Sequence, residues 1–344
     1  MPVQNRKVKP DEEGMRLDRW FKTHFPDLSF AHLQKLLRTG QVRVDGGRAK
    51  TNTRLEPGMA VRVPPLARTE DTNGLGTEAS RVGTSARAPS KMGDAKSDSA
   101  FIKSITLYED REVLVLNKPF GLAVQGGSGT TRHIDGMLEA LRGKDGQKPR
   151  LVHRIDKDTC GILLIAKTRL AAATLAKTFR SRSARKIYWA LVAGVPKPRQ
   201  GRISTYLAKG AGEEGELMRV AKHGDEEASH AITYYAVVEQ AAQKVSWISL
   251  KPVTGRTHQL RAHTAHIHHP IVGDPKYFSI ENWEFPGGMQ NRLHLLARRL
   301  VIPHPKGEGV IDVTAPLPQH MQQSWNLLGF DAKAYDPIMD APEE

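Results

Sequence analysis

Between residues 66 and 100 the chain reads LARTEDTNGLGTEASRVGTSARAPSKMGDAKSDSA, with no aromatic side chain and few large apolar ones. So little buriable surface cannot offset the entropy of ordering the backbone, and the segment is expected to be a flexible linker. No single hydrophobic core can run through it. It separates a short patterned segment, residues 15–65, from a long one, residues 101–330.

In the short segment Leu17, Trp20 and Phe21 fall at helical spacing. Ser29 is placed to N-cap a second helix carrying Leu33, Leu36 and Leu37, and Gly40 closes it. QVRVDGGRAK alternates as a strand and turns at Asp45-Gly46-Gly47, and MAVRVP is a further short strand. Two small helices followed by LLRTGQVRVDGGRAKTNTRLEPGMAVRV resemble an S4 RNA-binding domain of small α/β build. On that resemblance Arg16, Arg19, Lys35, Arg38, Arg43 and Lys50 are the expected phosphate contacts.

The long segment is strand-rich. EVLVLNKP, GILLIAKT, KIYWALVAGVP, AITYYAVVEQ and VSWISLKPV read as buried or half-buried strands. Helical patterns lie around Asp135–Arg142, Arg169–Ser181 and Thr257–Ile267. Many strands with few helices predict an α+β fold on a mainly antiparallel mixed sheet, not a βαβ repeat.

Charge narrows the partner. Fifty-one Lys and Arg against 37 Asp and Glu leave +14, which favours a polyanion, with nucleic acid ahead of a membrane surface. The N-terminal MPVQNRKVKPDEEG has no apolar core for a signal peptide, and no run of about 18 apolar residues could span a bilayer. One cysteine, Cys160, excludes a disulfide framework. A cytoplasmic protein is expected.

The most chemically loaded stretch is LVHRIDKDTCGILLIAKT, where His153, Arg154, Asp156, Lys157 and Asp158 crowd the mouth of an apolar strand. A loop feeding a buried strand is a rigid mount for a reactive group. Its two carboxylates, Asp156 and Asp158, suit such a role equally by spacing alone, and a salt-bridged turn would look the same.

HRIDKDTCG is similar to the HRLDxxTSG motif of RluA-type pseudouridine synthases. NKPFGLAVQGGSG (Asn117–Gly129), KIYWALVAG (Lys186–Gly194) and TGRTHQLRAH (Thr254–His263) resemble three further motifs of that family, in the same order. With the S4-like segment, the layout looks like the family's ribosomal large-subunit branch. The resemblance implies a cofactor-free isomerase of 23S ribosomal RNA or a pre-ribosomal particle, working as a monomer. It implies catalytic roles for Asp156, as the group acting on the ribose, for Tyr188, against the uracil, and for Arg261, as partner of Asp156. A bidentate Arg261–Asp156 pair is expected, on a helix capped by Thr257 with Arg261 and His258 on one face. Arg154 is expected to fill the stack vacated by a flipped base, and His153 to join it at the RNA.

Cys160 replaces the family's serine and Ile155 its leucine, neither a reacting group. Cys160 reads as a small buried residue rather than a nucleophile. His263, His266 and Asp274 invite a metal reading, but no HExxH-type ligand set accompanies them and none is expected. The rivals are a tRNA substrate and a non-catalytic ribosome-assembly factor.

Overall fold

The computed structural model describes residues 3–66, 95–127, 130–143, 146–210, 217–225, 227–280, 283, 286–307 and 309–342. The expected linker lies almost wholly outside them, as does part of the GGSG sequence. The chain divides into two compact units, Met1–Ala88 and Pro89–Glu344.

The small unit holds β1 (Gln4–Lys7), α1 (Leu17–His24), α2 (Phe30–Arg38), β2 (Arg43–Val44), β3 (Gly47–Arg48) and β4 (Ala60–Val63). The strands form an antiparallel sheet in the order β1-β4-β2-β3. Leu17, Trp20 and Phe21 of α1 and Leu33, Leu36 and Leu37 of α2 are buried with Val42, Leu55, Val61 and Val63. Ser29 caps α2 as expected, its hydroxyl accepting the His32 N–H at 3.3 Å. The unit starts earlier than residue 15, because Gln4–Lys7 pairs along β4. QNRK has no apolar alternation, so this strand, held by backbone pairing and by Arg6 over the Phe25 ring, leaves no pattern to read.

The large unit begins with α3 (Ala95–Ser104), which takes in the last residues of the expected linker and buries Ile102. There follow β5 (Thr106–Glu109), β6 (Val113–Lys118), α4 (Ile134–Met137), β7 (Arg150–Leu151), β8 (Cys160–Ala166), α5 (Arg169–Arg180), β9 (Arg185–Ala193) and β10 (Gln200–Gly210). Then come β11 (Leu217–Ala221), β12 (Ser229–Ala241), β13 (Val245–Pro252), α6 (Gln259–His266), β14 (Leu295–Pro303), β15 (Val310–Thr314) and α7 (Gln319–Leu328). The sheet runs β11-β10-β12-β13-β9-β14-β8-β6-β5, with β15 on β14 and β7 on β8. It is mostly antiparallel, but β8 and β14 run parallel, so the mixed-sheet α+β expectation holds.

Period-two alternation gives the sheet two faces. On one, Trp189 of β9 packs edge-on against Trp247 of β13, at 4.5 Å between ring centroids, with Trp325 of α7 beside them. The unit extends beyond residue 330 here: the Asp336 carboxylate accepts from Trp189 Nε1 at 2.9 Å and Ser249 Oγ at 2.8 Å, and Ile338 is buried. On the other face Tyr188 stands opposite Leu250 and Ala297. There α6 packs over β10 and β12, with Leu260 in the same core as Leu250.

Candidate active site

Asp156 sits in the loop between β7 and β8, its side chain 25% exposed. The Thr159 N–H donates to the Asp156 carbonyl at 3.2 Å, turning the chain just before the strand. Gly161 then has φ +100°, and a Cβ there would lie 2.3 Å from the Ala297 carbonyl oxygen. Glycine is therefore required by conformation and by the closeness of β14. The loop is tied down from β6. Lys118 is fully buried, and its ammonium donates to the carbonyls of Pro119 at 2.9 Å, Leu122 at 2.9 Å and Lys157 at 2.7 Å. Burial pulls its pKa down to about 8, opposed by Cys160, Asp158 and Asp156. Cys160 is buried and its thiol pushed up to about 11 by desolvation, which suits the inert role expected of it.

The guanidinium expected beside Asp156 is there, in a different arrangement. Arg261 Nη1 donates to Asp156 Oδ2 at 3.4 Å, a single contact. Its bidentate partner is Asp274, which accepts from Nε at 2.8 Å and Nη2 at 2.7 Å and also from the Lys276 and Tyr277 N–H groups. Arg261 is 3% exposed and Asp274 equally buried. A desolvated guanidinium needs a full counter-charge, which a partly solvated carboxylate supplies poorly, so Asp274 takes the fork and leaves Nη1 for Asp156. Burial alone would lower the Arg261 pKa, but the hydrogen bonds and charge of Asp274 raise it.

Helix α6 starts later than expected. His258, not Thr257, is the N-cap, in the left-handed region at φ +49° and with no side-chain cap. Arg261 and His258 both reach toward Asp156 Oδ2, but from a buried helix face, since the helix is buried from Gln259 to Thr264. Its polar residues are absorbed by the sheet. Gln259 Nε2 donates to the Ile232 carbonyl and Thr233 Oγ1, and the His263 ring lies between Thr205 and Thr233 hydroxyls. His263 is thus a bracing residue, Asp274 is spent on Arg261, and among the described residues no group of three or more His, Cys, Asp and Glu could hold a metal. His258 Nε2 lies 3.9 Å from Asp156 Oδ2, while Nδ1 is 3.1 Å from the Tyr277 hydroxyl, itself accepting the Met218 N–H. Burial lowers the His258 pKa, partly offset by Asp156.

Tyr188 faces the same side. Burial raises its pKa, and the Asp156 charge raises it further, so the phenol stays protonated. Arg154 is exposed, its Nη2 donating to Thr257 Oγ1 at 3.3 Å, from one loop to another. His153, expected at the RNA, has internal partners instead. Its Nε2 accepts the Leu164 N–H at 2.8 Å, its ring stacks on Phe179, and burial pushes its pKa down to about 3. A ring that accepts from the backbone and stays neutral cannot serve as a cation for phosphate.

In the small unit, Arg16, Lys35, Arg38 and Lys50 line one surface concavity together with Gln34 and Asn52. Arg19 and Arg43 do not line it; Arg43 donates to the Gly40 and Gly46 carbonyls. Sequence reasoning names neither Lys118 nor Tyr277 as a site residue, and Asp274 only in a metal reading that it sets aside. Lys118 lies in a motif already quoted, whereas nothing local ties Asp274 and Tyr277 to Arg261, because only the fold brings them there.

The comparisons agree with this geometry. Residues 112–266 match the family described as RNA pseudouridylate synthase. Ribosomal large subunit pseudouridine synthase C of Vibrio cholerae is 34% identical over 94% of this chain and 96% of its own length. The Escherichia coli K12 protein of that name is 34% identical over 92% and 93%. RNA pseudouridine synthase 4, mitochondrial, of Arabidopsis thaliana is 33% identical over 94% of this chain and 81% of its own. Among solved structures, Human RNA Pseudouridylate Synthase Domain Containing 4 superposes with a TM-score of 0.56 at 26% identity, over 69% of this chain and 97% of that one. Strand order, motifs and relatives lead to one conclusion: the chain belongs to the RluA-type RNA pseudouridine synthases, enzymes that isomerise uridine within RNA.

Proposed function

We propose that this enzyme converts uridines of 23S ribosomal RNA, free or in a pre-ribosomal particle, to pseudouridine, as a cytoplasmic monomer that needs no cofactor. The reading rests above all on one observation: Arg261 Nη1 lies 3.4 Å from Asp156, whose charge also acts on Tyr188. The isomerisation breaks N1–C1′, turns the uracil, forms C5–C1′ and moves the C5 proton away while N1 gains one. Nothing is oxidised or added.

The target base leaves its stack, and the exposed Arg154 fills the gap with its planar guanidinium. Asp156 then acts on the ribose, either attacking C1′ or removing the C2′ proton. Arg261 aims it through one hydrogen bond while Asp274 carries most of the counter-charge. The carboxylate is thereby oriented without being fully neutralised by a fork of its own. Tyr188, kept as a phenol, can stack against the uracil and donate a hydrogen bond to it. The small unit's Arg16, Lys35, Arg38 and Lys50 hold RNA phosphates, alongside Arg19 and Arg43. The large-subunit substrate rests on the names of the relatives and on the S4-like unit. Mapping pseudouridines in ribosomal RNA from cells with and without the gene tests it. Loss of defined sites in the large-subunit RNA is expected, and a change confined to tRNA would overturn that substrate.

A further inference from the structure

Three basic side chains of the large unit are withdrawn from solvent on the catalytic side, and two have evident counterparts. Lys118 has its three carbonyls and Arg261 has Asp274. Lys186 has none: among the described residues its ammonium makes neither a hydrogen bond nor an ion pair. It lies two residues before Tyr188 on β9, on the same face, roughly 7 Å along the strand. Its charge reaches the His153 ring, helping to keep that imidazole neutral. Its Nζ is 4.0 Å from where a Cβ on Gly255 would stand, and Gly255 is exposed. No side chain stands over the ammonium from that position. Around the same turn stand Arg154, bonded to Thr257, and Arg256, bonded to the His230 carbonyl.

A half-buried cation without an anion is costly, and this one lies beside an exposed turn, on the face of β9 that carries Tyr188. We propose that Lys186 is a positioning residue that binds the backbone phosphate next to the flipped uridine, fixing the ribose over Asp156 while Tyr188 meets the base. This rests on the pseudouridylation reading above. Burial draws the free amine's pKa down to about 8, and a bound phosphate would draw it back up, so the contact should weaken above that pH.

The test uses the full chain and an RNA fragment in which it forms pseudouridine, made with the phosphate on either side of the target uridine replaced by uncharged methylphosphonate. For the wild type, one of the two neutral linkages should weaken RNA binding about tenfold, the size of one lost charge-assisted hydrogen bond. Lys186→Gln should bind the normal RNA about tenfold more weakly and lose roughly nothing more with the neutral linkage. Lys186→Arg should keep most of the affinity and lose the wild type's decline between pH 7 and 9. If neither linkage matters to the wild type, or if Lys186→Gln loses the same further factor, the phosphate assignment is overturned. The wild-type arm stands even if Lys186→Gln fails to fold. Absence of pseudouridine in any ribosomal fragment would break the underlying reading instead, so the two failures are distinct.

Discussion

The two units use positive charge in opposite ways. In the small one, Lys35, Arg38 and Lys50 stand in solvent on a concave surface, beside an exposed Arg16 paired with the half-buried Asp18. In the large one, Lys118 and Arg261 are buried and saturated with partners. Exposed cations attract a polyanion additively, through screened water. Buried ones cost desolvation and return geometry. On the proposed function, one unit holds RNA and the other aims a carboxylate.

The sharpest way to break that contrast is Asp156→Asn. It should abolish pseudouridine formation, by at least roughly a thousandfold in single turnover, while RNA affinity stays near wild type. Measurable turnover would move the chemistry to another group. Asp274→Asn should come next, by stranding a buried guanidinium: about 3 to 5 kcal/mol of stability lost in denaturant unfolding, with activity. An unchanged midpoint would mean that Arg261 finds its counter-charge elsewhere.

Acid separates the units by their titrating groups. Burial holds His153 near pKa 3 and His263 and His294 near 4, all below an unfolded value of about 6.5. The unfolded chain therefore binds more protons below pH 6.5. The stability these histidines contribute is complete above that pH and drains away as pH falls toward 4. In the small unit Glu12 is the group shifted down, from 4.5: burial opposes this, and hydrogen bonds from Lys9, Trp20 and His24 outweigh it. Its contribution persists to lower pH. Hydrogen exchange read by mass spectrometry, corrected for intrinsic rates, should show the large unit opening first between pH 6.5 and 4.5. Simultaneous opening would remove the distinction. The smallest effect is expected from Lys35→Ala with Arg38→Ala: RNA affinity down severalfold, a salt slope shallower by about 0.7 to 0.9 per lost phosphate, and kcat unchanged.

What could be read before the structure was what local pattern carries. β6, β8, β9, β12 and β13 are apolar runs or alternations, and each is a strand. β10 and β14 were passed over. GRISTYLAKG mixes polar residues on both faces, and LLARRLVIP spaces its leucines as a helix would, so only their neighbours make them strands. The site shows the same division. Asp156, Tyr188 and Arg261 lie in motifs, but the partner that claims most of Arg261 is Asp274, 13 residues on, in a loop. The buried status of α6 was equally hidden, since Gln259 and His263 look like surface residues until β10 and β12 supply their hydrogen bonds.

Lys118 spends every proton it has on peptide oxygens, one of them belonging to the residue that follows Asp156. On the proposed function, the reactive loop is therefore already built when the nucleic acid arrives, with little slack to mould itself around a reluctant target. The distortion should then fall on the RNA. Among the uridines that reach the site, those whose stacking and pairing are cheapest to undo should react first.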